Sequence, residues 1–420
     1  MSSSDGQDNT PGFGGSFDAY GSSGATGGDT FTETTSTSWF ERIGNSLKAL
    51  LIAPIVILIG IVLLGWNEGR AVGTARSLTE GAGVVVSIAA APVDPVNEGK
   101  LVHVMGPLAV TGKLRDANFG VAADGLRLVR KVEAFQWKES SHSETRKKLG
   151  GGEETITTYS YATDWTDTPV DGASFKQPNG HRNPPVPVAS QTFQAQKVQL
   201  GDFTLTPAQA GSFGKPVARP VQPGELAAVK AAAGGGAAQA QILDGRVYFG
   251  ADPARPKVGD FRISYELVPA GDATVVARQT GKGFTGYATS NGRTIEILHD
   301  GQVPAAQVFK EAQQENSILT WILRLVGMVV LFVGFSMLVG PLSVIADIVP
   351  FIGSIVGGIG GFFAFGAALF VGSITIAIAW FAVRPLMSIG LIVAGVAAVV
   401  LFRKLAGSRR PAAGPASVKA

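Results

Sequence analysis

The stretch "LKALLIAPIVILIGIVLLGW", Leu47–Trp66, decides the fold of this 420-residue chain. No charge follows Lys48 until Glu68, and about 20 apolar residues are enough to cross a hydrocarbon core about 30 Å thick. Trp39 and Trp66 flank the run, and tryptophan rings favour the headgroup layer at the ends of a span. The sequence therefore predicts a transmembrane helix over residues 47–66. This run begins too far from the start for a cleaved signal peptide, so we expect a retained anchor.

Residues 1–38, upstream of the span, are mostly Gly, Ser, Thr and Asp, with almost no aliphatic side chains. Such a segment buries too little apolar surface to offset the entropy lost on ordering. We therefore expect residues 1–38 to form a disordered tail.

The composition of the whole chain separates apolar runs from a polar middle. Hydrophobic residues make up 45% of it and charged residues 16%, where soluble domains average about 25% charged. The chain has no cysteine, which excludes disulfides and thiolate sites. The net charge is +3, and much of the excess lies in the basic tail. The sequence shows no basic stripe with interleaved aromatics, so we expect no nucleic-acid partner.

Residues 67–303 are too polar to cross a membrane and contain segments with the alternation of strands. Segments 126–140, "LRLVRKVEAFQWKES", and 153–167, "EETITTYSYATDWTD", predict a long hairpin closed by residues 141–152. Three further strands are predicted at 260–269, 273–280 and 293–301. The middle of the chain is therefore predicted to be one large β-rich domain outside the membrane.

The C-terminal part is almost wholly apolar. The predicted segments are an amphipathic helix at 304–320, spans at 322–341, 360–382 and 386–402, a re-entrant or interfacial segment at 343–358, and a basic cytoplasmic tail at 403–420. The fold class is then an α+β membrane protein with about four transmembrane helices, one N-terminal and three C-terminal. Four spans with a basic cytoplasmic tail place the β domain outside the cytoplasm, and a fifth crossing would move the tail.

Charges inside or beside the spans are candidates for function, since a charge at membrane depth is costly. Arg324, Asp347 and Arg384 interrupt apolar stretches, and Glu68 and Arg70 close the first span. Anchoring or structural pairing is the preferred interpretation, because long side chains near span ends reach the interface. The alternative is an intramembrane site centred on Asp347.

Small residues recur in the C-terminal spans. Gly353, Gly357 and Gly361 are spaced about one helical turn apart, which lets helix backbones approach closely in lipid. Packing within one chain is the preferred interpretation, and self-association is the alternative.

The four histidines, His103, His142, His181 and His299, lack metal-ligand spacing, and no catalytic or nucleotide-binding motif is present. Surface or core positions are the expected roles. We assign no catalytic, cofactor or metal residue.

Several short blocks carry a family resemblance. They are "NEGRAVGTARSLTEGAGVVVS" from Asn67, "NEGKLVHVMG" from Asn97, "VEAFQWKE" from Val132, "TYSYATDW" from Thr158, "GHRNP" from Gly180, "ADIVP" from Ala346 and "RPL" from Arg384. In this order, over about residues 40–405, the chain resembles the LUMA (transmembrane protein 43) family. The candidate functional or family-matching residues are Glu68, Arg70, Glu98, His103, Trp137, Asp164, Trp165, His181, His299, Arg324, Asp347 and Arg384.

The resemblance implies a four-span protein with its large loop in a lumen or outside a cell, and a scaffold-like role among membrane proteins. It brings no catalytic residue. The low-complexity start and the absence of glycosylation sequons indicate a bacterial member, which we expect in the inner (plasma) membrane. In a eukaryote the expected location is the endoplasmic reticulum or inner nuclear membrane.

Three functions follow as hypotheses. The first is a non-enzymatic scaffold that organises membrane protein complexes or membrane domains through its β domain, with the bilayer, other membrane proteins or a second copy as partners. The second is a lipid-binding or lipid-modifying protein whose charges at the bilayer edge meet around one cavity. A channel is disfavoured because few polar residues line the spans.

Overall fold

A computed structural model describes residues 29–233 and 240–383 as an α+β fold of three long helices and a β-rich domain. The helices are α1 (Trp39–Val84), α2 (Pro207–Gly211), α3 (Leu226–Ala233), α4 (Ala305–Ala346) and α5 (Pro350–Val383). The strands are β1 (Thr30–Thr37), β2 (Val86–Ile88), β3 (Leu101–Val110), β4 (Leu114–Asp116), β5 (Val121–Ala123), β6 (Arg127–Lys147), β7 (Glu153–Thr166), β8 (Gln191–Gln194), β9 (Val198–Leu200), β10 (Phe203–Leu205), β11 (Val217–Arg219), β12 (Ala240–Leu243), β13 (Arg246–Phe249), β14 (Phe261–Val268), β15 (Asp272–Thr280), β16 (Gly283–Thr285), β17 (Tyr287–Ala288), β18 (Thr294–Ile295) and β19 (Ile297–Asp300).

The helices α1, α4 and α5 are each long and apolar enough to cross a membrane. The Ser38 hydroxyl begins α1 by accepting a hydrogen bond from the Glu41 amide, and the helix then runs 46 residues without a break. Similarly, α4 unites the predicted amphipathic helix and the second span in 42 residues. Both helices therefore continue from the apolar region into the β domain.

The predicted re-entrant or interfacial segment at 343–358 differs from the structure. Residues 343–346 end α4, three residues from Asp347 to Val349 form a turn, and Pro350 begins α5. Proline at the first helical position fits this break, because its missing N–H has no intrahelical partner there. The fourth predicted span at 386–402, the tail at 403–420 and Arg384 lie outside the described residues.

Two large sheets form most of the β domain, and β4-β5 and β17-β18 form two small ones. The first has the order β1-β7-β6-β14-β13-β12, with β8 beside β6 and β11 beside β14. The second has the order β10-β9-β3-β15-β16, with β2 and β19 paired to β3 and β15. Residues such as Val104, Leu128, Leu200, Phe203 and Ile263 pack in the main core. A smaller cluster joins α1 and α4 to the domain through Leu78, Leu101, Val276, Ile295, Val308 and Phe309.

A three-stranded ribbon, defined as residues 30–37, 140–147 and 153–160, extends from this domain. The structure corrects two predictions here. Residues 30–37, expected in the disordered tail, form β1 against β7 because β-branched Thr side chains suit an extended backbone. The hairpin loop, expected at 141–152, is only residues 148–152, since β6 continues to Lys147.

Candidate functional site at the ends of the membrane helices

A buried ion pair joins α1 to α4 near the β domain. Arg324 donates to both carboxylate oxygens of Glu68, at 2.6 and 2.9 Å, and the Trp380 indole donates to the same carboxylate at 2.7 Å. The guanidinium also lies 4.7 Å from the centre of the Trp321 ring. The side chains of Glu68 and Arg324 are 2% and 15% exposed, so the two charges are satisfied by each other and by indole rings.

Arg70 lies two residues beyond Glu68 in α1. Its guanidinium donates to the Asn316 side chain and to the Thr320 hydroxyl, each at 3.0 Å, and to Asn67. Residues of α1, α4 and α5 surround a cavity of about 210 Å³ here, lined by Glu68, Ala71, Val72, Ala75, Gln313, Asn316, Ser317, Thr320, Trp321, Arg324 and Trp380. Three of the five predicted edge charges therefore meet: Glu68, Arg70 and Arg324.

A second ionic cluster forms at the opposite ends of the helices. Asp347, 1% exposed, follows α4 and accepts hydrogen bonds from Arg42 of α1 and, at 2.7 Å, from Lys147 at the end of β6. Arg42 also pairs with Glu153 of β7 at 2.7 Å. In the turn of the hairpin, the Gly150 amide donates to the Ile348 carbonyl at 3.2 Å. Asp347 thus fixes the tip of the ribbon to the helices.

The two ionic clusters are far apart, which corrects the hypothesis of a single site. Arg324 and Asp347 are separated by about 35 Å along α4, at about 1.5 Å per residue. Each carboxylate has its own cationic partners. Asp347 therefore does not join Glu68, Arg70 and Arg324 in one site.

An aromatic cluster forms where three family-matching blocks meet. The His181 ring stacks on Tyr161 at 4.1 Å between centres and meets Trp137 edge-on at 4.7 Å. The Tyr161 hydroxyl donates to Glu139 at 2.8 Å. Burial, with help from Glu139, raises the pKa of Tyr161 to about 12. The structure thus brings Trp137 and His181 together, as part of the packing of the domain.

The two ring nitrogens of His181 each face an acceptor. One lies 2.7 Å from the Gln177 carbonyl and the other 2.6 Å from the Asp29 carboxylate. Burial acts to lower the pKa of His181, but these two acceptors outweigh it and raise the pKa above its ordinary value.

Asp164 and Trp165 lie at the base of the ribbon and have structural contacts. The Trp165 ring packs against Phe135 and carries the Arg262 guanidinium 4.4 Å from its centre. Asp164 is exposed and pairs with Lys138 at 3.2 Å. Neither faces the ionic clusters described above.

The remaining predicted residues, Glu98, His103 and His299, are separate. Glu98 accepts from the Gly281 amide at 2.9 Å and closes a turn. His103 is buried between Ser87 and the Val303 carbonyl, and His299 pairs with Glu311 at 2.9 Å. Among the described residues, no three His, Asp or Glu side chains are placed to hold a metal ion.

Sequence reasoning missed a buried polar cluster in the core of the domain. The Asp116 carboxylate pairs with Arg130 at 2.5 Å and accepts from the Tyr265 hydroxyl at 2.9 Å. Burial, followed by the charge of Asp116, raises the pKa of Tyr265. Arg130 lies between Leu128 and Val132 on the buried face of β6. A charged residue at a buried position of a strand was the available signal in the sequence.

The glycines that let α1 and α4 pack closely were also missed. A side chain at Gly60, Gly327 or Gly334 would collide with Leu331, Leu64 or Ile57 of the facing helix. The spacing of seven between Gly327 and Gly334 was a signal for one packing face. Of the predicted packing glycines, Gly353 and Gly357 lie against Asp347 and Ser343 at the end of α4, whereas Gly361 faces open space.

These features define a multi-span membrane protein whose β-rich domain is fixed to its helices by buried ion pairs. The sequence profile described as transmembrane protein 43 matches residues 134–385. The mouse protein named transmembrane protein 43 is 33% identical over 84% of this chain and 89% of its own length. The human protein is 31% identical over 89% of this chain and 93% of its own length, and a Drosophila melanogaster homolog is 26% identical over 87% and 96%.

The chain belongs to the transmembrane protein 43 family, which confirms the resemblance stated from its motifs. No solved structure matches the chain.

Proposed function

We propose that this protein is a non-enzymatic membrane scaffold whose β domain organises other membrane proteins. The observation that carries the proposal is the unbroken passage of α1 and α4 from the apolar region into the domain. At this joint, Gly81 packs against Ile295 and Phe309, and Ser77 of α1 contacts the Thr289 hydroxyl. A domain held this firmly has a fixed orientation to the bilayer, and a scaffold needs one to position its partners.

The chemistry of the buried charges supports the same proposal. Glu68 and Arg324 satisfy each other, and Asp347 is satisfied by Arg42 and Lys147. Charges engaged in this way stabilise an arrangement of helices and strands, and a general acid or base needs access to a substrate. The lipid-modifying alternative requires its charges to meet around one cavity, and the distance of about 35 Å along α4 between Arg324 and Asp347 favours the scaffold over it.

The location and orientation belong to this proposal as well. A bacterial inner membrane, with most of the β domain outside the cytoplasm, remains our prediction. It rests on the basic tail and on the low-complexity start of the chain.

The test uses the tagged full-length protein, cross-linked in its native membrane and identified with its partners by mass spectrometry. The uncoupled variant combines G81L, which blocks the packing of α1 against Ile295 and Phe309, with flexible six-residue Gly-Ser insertions after Val85 and after Val303. The matched control carries the same insertion after Gly112, in an exposed turn with open space around it.

We expect the wild type and the control to recover the same membrane proteins, and the uncoupled variant to recover each at least fivefold less. Recovery of no protein above background by the wild type and the control would overturn the scaffold function. Equal recovery by all three chains would remove the fixed orientation as its basis.

A further inference from the structure

Two arginines lie close together where α1 leaves the apolar region. Arg70 belongs to α1, and Arg293 lies in the turn between β17 and β18. The Arg293 guanidinium covers Gly73 of α1, since a Cβ there would collide with its Nε atom. Gly73 is three residues beyond Arg70, and residues at that spacing are neighbours on one helix face. The two guanidiniums are therefore close enough for their charges to repel each other.

Neither arginine has a carboxylate partner in the part of the chain that the structure describes. Arg70 donates to two amide side chains and one hydroxyl, and Arg293 donates to the Thr74 hydroxyl at 3.2 Å. The charge of Glu68 reaches Arg70, but this carboxylate is held by Arg324. Both arginines are half-buried, and buried charges are normally paired. The pair therefore lacks a counter-ion, which a bound anion would supply.

The arginine pair lies at the level of lipid headgroups. Trp66 and Trp321, which are 58% and 65% exposed, mark the end of the apolar region on α1 and α4. Arg70 lies four residues beyond Trp66, about 6 Å along the helix at about 1.5 Å per residue. The headgroup layer extends about 5–7 Å beyond the hydrocarbon core on each side. Arg70 therefore lies where the phosphates of a bilayer lie.

An exposed apolar stripe on α1 leads to the arginine pair. The stripe consists of Ile52, Ile55, Ile59, Val62 and Trp66, all exposed. Its members are spaced by three and four residues, which places them on one helix face, and the same spacing continues to Arg70 and then to Gly73. A hydrocarbon chain that follows this stripe therefore ends at the two guanidiniums.

We propose that Arg70 and Arg293 bind the phosphate of an anionic phospholipid whose acyl chains lie along the exposed stripe of α1. A guanidinium donates parallel hydrogen bonds to phosphate oxygens, and two of them suit one phosphate. A lipid with net negative charge is favoured over a zwitterionic one, because its headgroup brings no cation to the pair. A free phosphate ion has the same chemistry, but the stripe that continues from the pair favours a lipid.

This site is independent of the scaffold function, since it needs no partner protein. A headgroup bound here would contact both α1 and the turn between β17 and β18, so the lipid would join the membrane helix to the β domain.

The test measures the phospholipid retained by the detergent-purified full-length protein in native mass spectrometry. Equal amounts of dioleoylphosphatidylglycerol and dioleoylphosphatidylcholine are added, which have the same acyl chains and differ in the charge of the headgroup. We expect the wild type to retain at least about fivefold more of the phosphatidylglycerol.

R293Q removes one guanidinium and leaves the contacts of Arg70 in place. Its matched control is R278Q, which removes an exposed guanidinium of β15 that also donates to a threonine hydroxyl. We expect R293Q to lower the retention of phosphatidylglycerol about fivefold, the effect of about one arginine near an anionic headgroup. R278Q should retain as much as the wild type.

A second pair of variants keeps both charges and changes their positions. G73A places a methyl group where the Arg293 guanidinium lies, so Arg293 must move. G69A adds the same methyl group one turn earlier in α1, where nothing lies within 4 Å. We expect G73A to lose phosphatidylglycerol as R293Q does, and G69A to match the wild type.

The melting temperature in detergent without added lipid shows which variants are folded. Wild-type retention of phosphatidylglycerol by folded R293Q would overturn the proposal, and if R293Q does not fold, the same result with G73A would do so. Equal losses in R293Q and R278Q would also overturn it, because net charge alone would then attract the lipid. Displacement of phosphatidylglycerol from the wild type by inorganic phosphate would overturn the lipid as the ligand.

Discussion

Glu68 and Arg324 show how a buried charge in this protein depends on its partner. Removing one member of a buried pair leaves the other without compensation, which costs about 3–5 kcal/mol. We expect E68L or R324L to lower the free energy of unfolding by about this amount. The double variant E68L/R324L should lose less than either single variant, because no unpaired charge remains.

Reversible denaturation in detergent measures these differences. The matched control is R255L, which removes an exposed pair with Asp252 and should change stability by about 0–1 kcal/mol. Additive losses in the double variant would contradict the direct coupling of Glu68 and Arg324.

His181 gives a prediction of pH dependence. Its two acceptors, the Gln177 carbonyl and the Asp29 carboxylate, both favour the doubly protonated ring, so its pKa is raised on folding. Its contribution is fully present below the unfolded pKa of about 6.5 and is lost as pH rises through the higher folded pKa. We expect the difference in melting temperature between the wild type and H181N to shrink from pH 6 to pH 9.

The control for this measurement is H142N, at an exposed histidine of the ribbon. This control also removes a histidine but leaves the contacts of His181 with Gln177 and Asp29 in place. If the difference in melting temperature between the wild type and H181N grew with pH, the raised pKa of His181 would be contradicted.

At the residue scale, the sequence located the charges but not their partners. Glu68, Arg324 and Asp347 stand out because each borders an apolar run. Their pairing depends on the antiparallel alignment of α1 with α4, and on a hairpin whose tip meets Asp347 200 residues further along the chain. Neither alignment is encoded by local spacing, so the division of the charges into two clusters could not be predicted.

Among the elements, the close contact of α1 with α4 rests on glycine. A Cβ at Gly60 would lie 2.8 Å from the Leu331 side chain and 3.2 Å from its backbone nitrogen. We expect G60L to destabilise the helix pair by about 1–3 kcal/mol, as overpacking of a close contact does. Gly65, in the same helix, has open space around it, so G65L should be neutral or slightly stabilising.

Melting of both variants in detergent, followed by far-UV circular dichroism, separates packing from helix propensity. Equal melting temperatures for G60L and G65L would contradict the packing of Gly60 against Leu331.

The elements also show why composition predicts some segments and not others. The apolar runs, the alternation in β14 and the continuous burial of Ala273–Ala277 in β15 follow directly from the positions of apolar side chains, and the sequence located all three segments. The segment "TFTETTST" of β1 has no aliphatic side chain and was therefore assigned to the disordered tail. Its order depends on β7, which provides the pairing partner 120 residues away. Strand formation of this kind is a property of the pair and not of the segment.

For the molecule as a whole, the joint between helices and β domain determines whether the two unfold together. Gly81 of α1 lies against Ile295 and Phe309, and a Cβ there would approach them to 2.5 and 2.9 Å. We expect the wild type to melt in one transition, since one apolar cluster includes residues of both parts. In G81L the cluster cannot close, so the domain and the helices should melt separately.

Differential scanning calorimetry of the full-length protein in detergent distinguishes one transition from two, and G83L is the matched control because Gly83 has open space around it. If G81L and G83L both melt in one transition at the same temperature, Gly81 does not couple the two parts. Separate melting of the two parts in G81L would also test the proposed scaffold function. A domain that melts on its own is no longer held by α1 and α4, so G81L should lose partners to the same extent as the chain with Gly-Ser insertions.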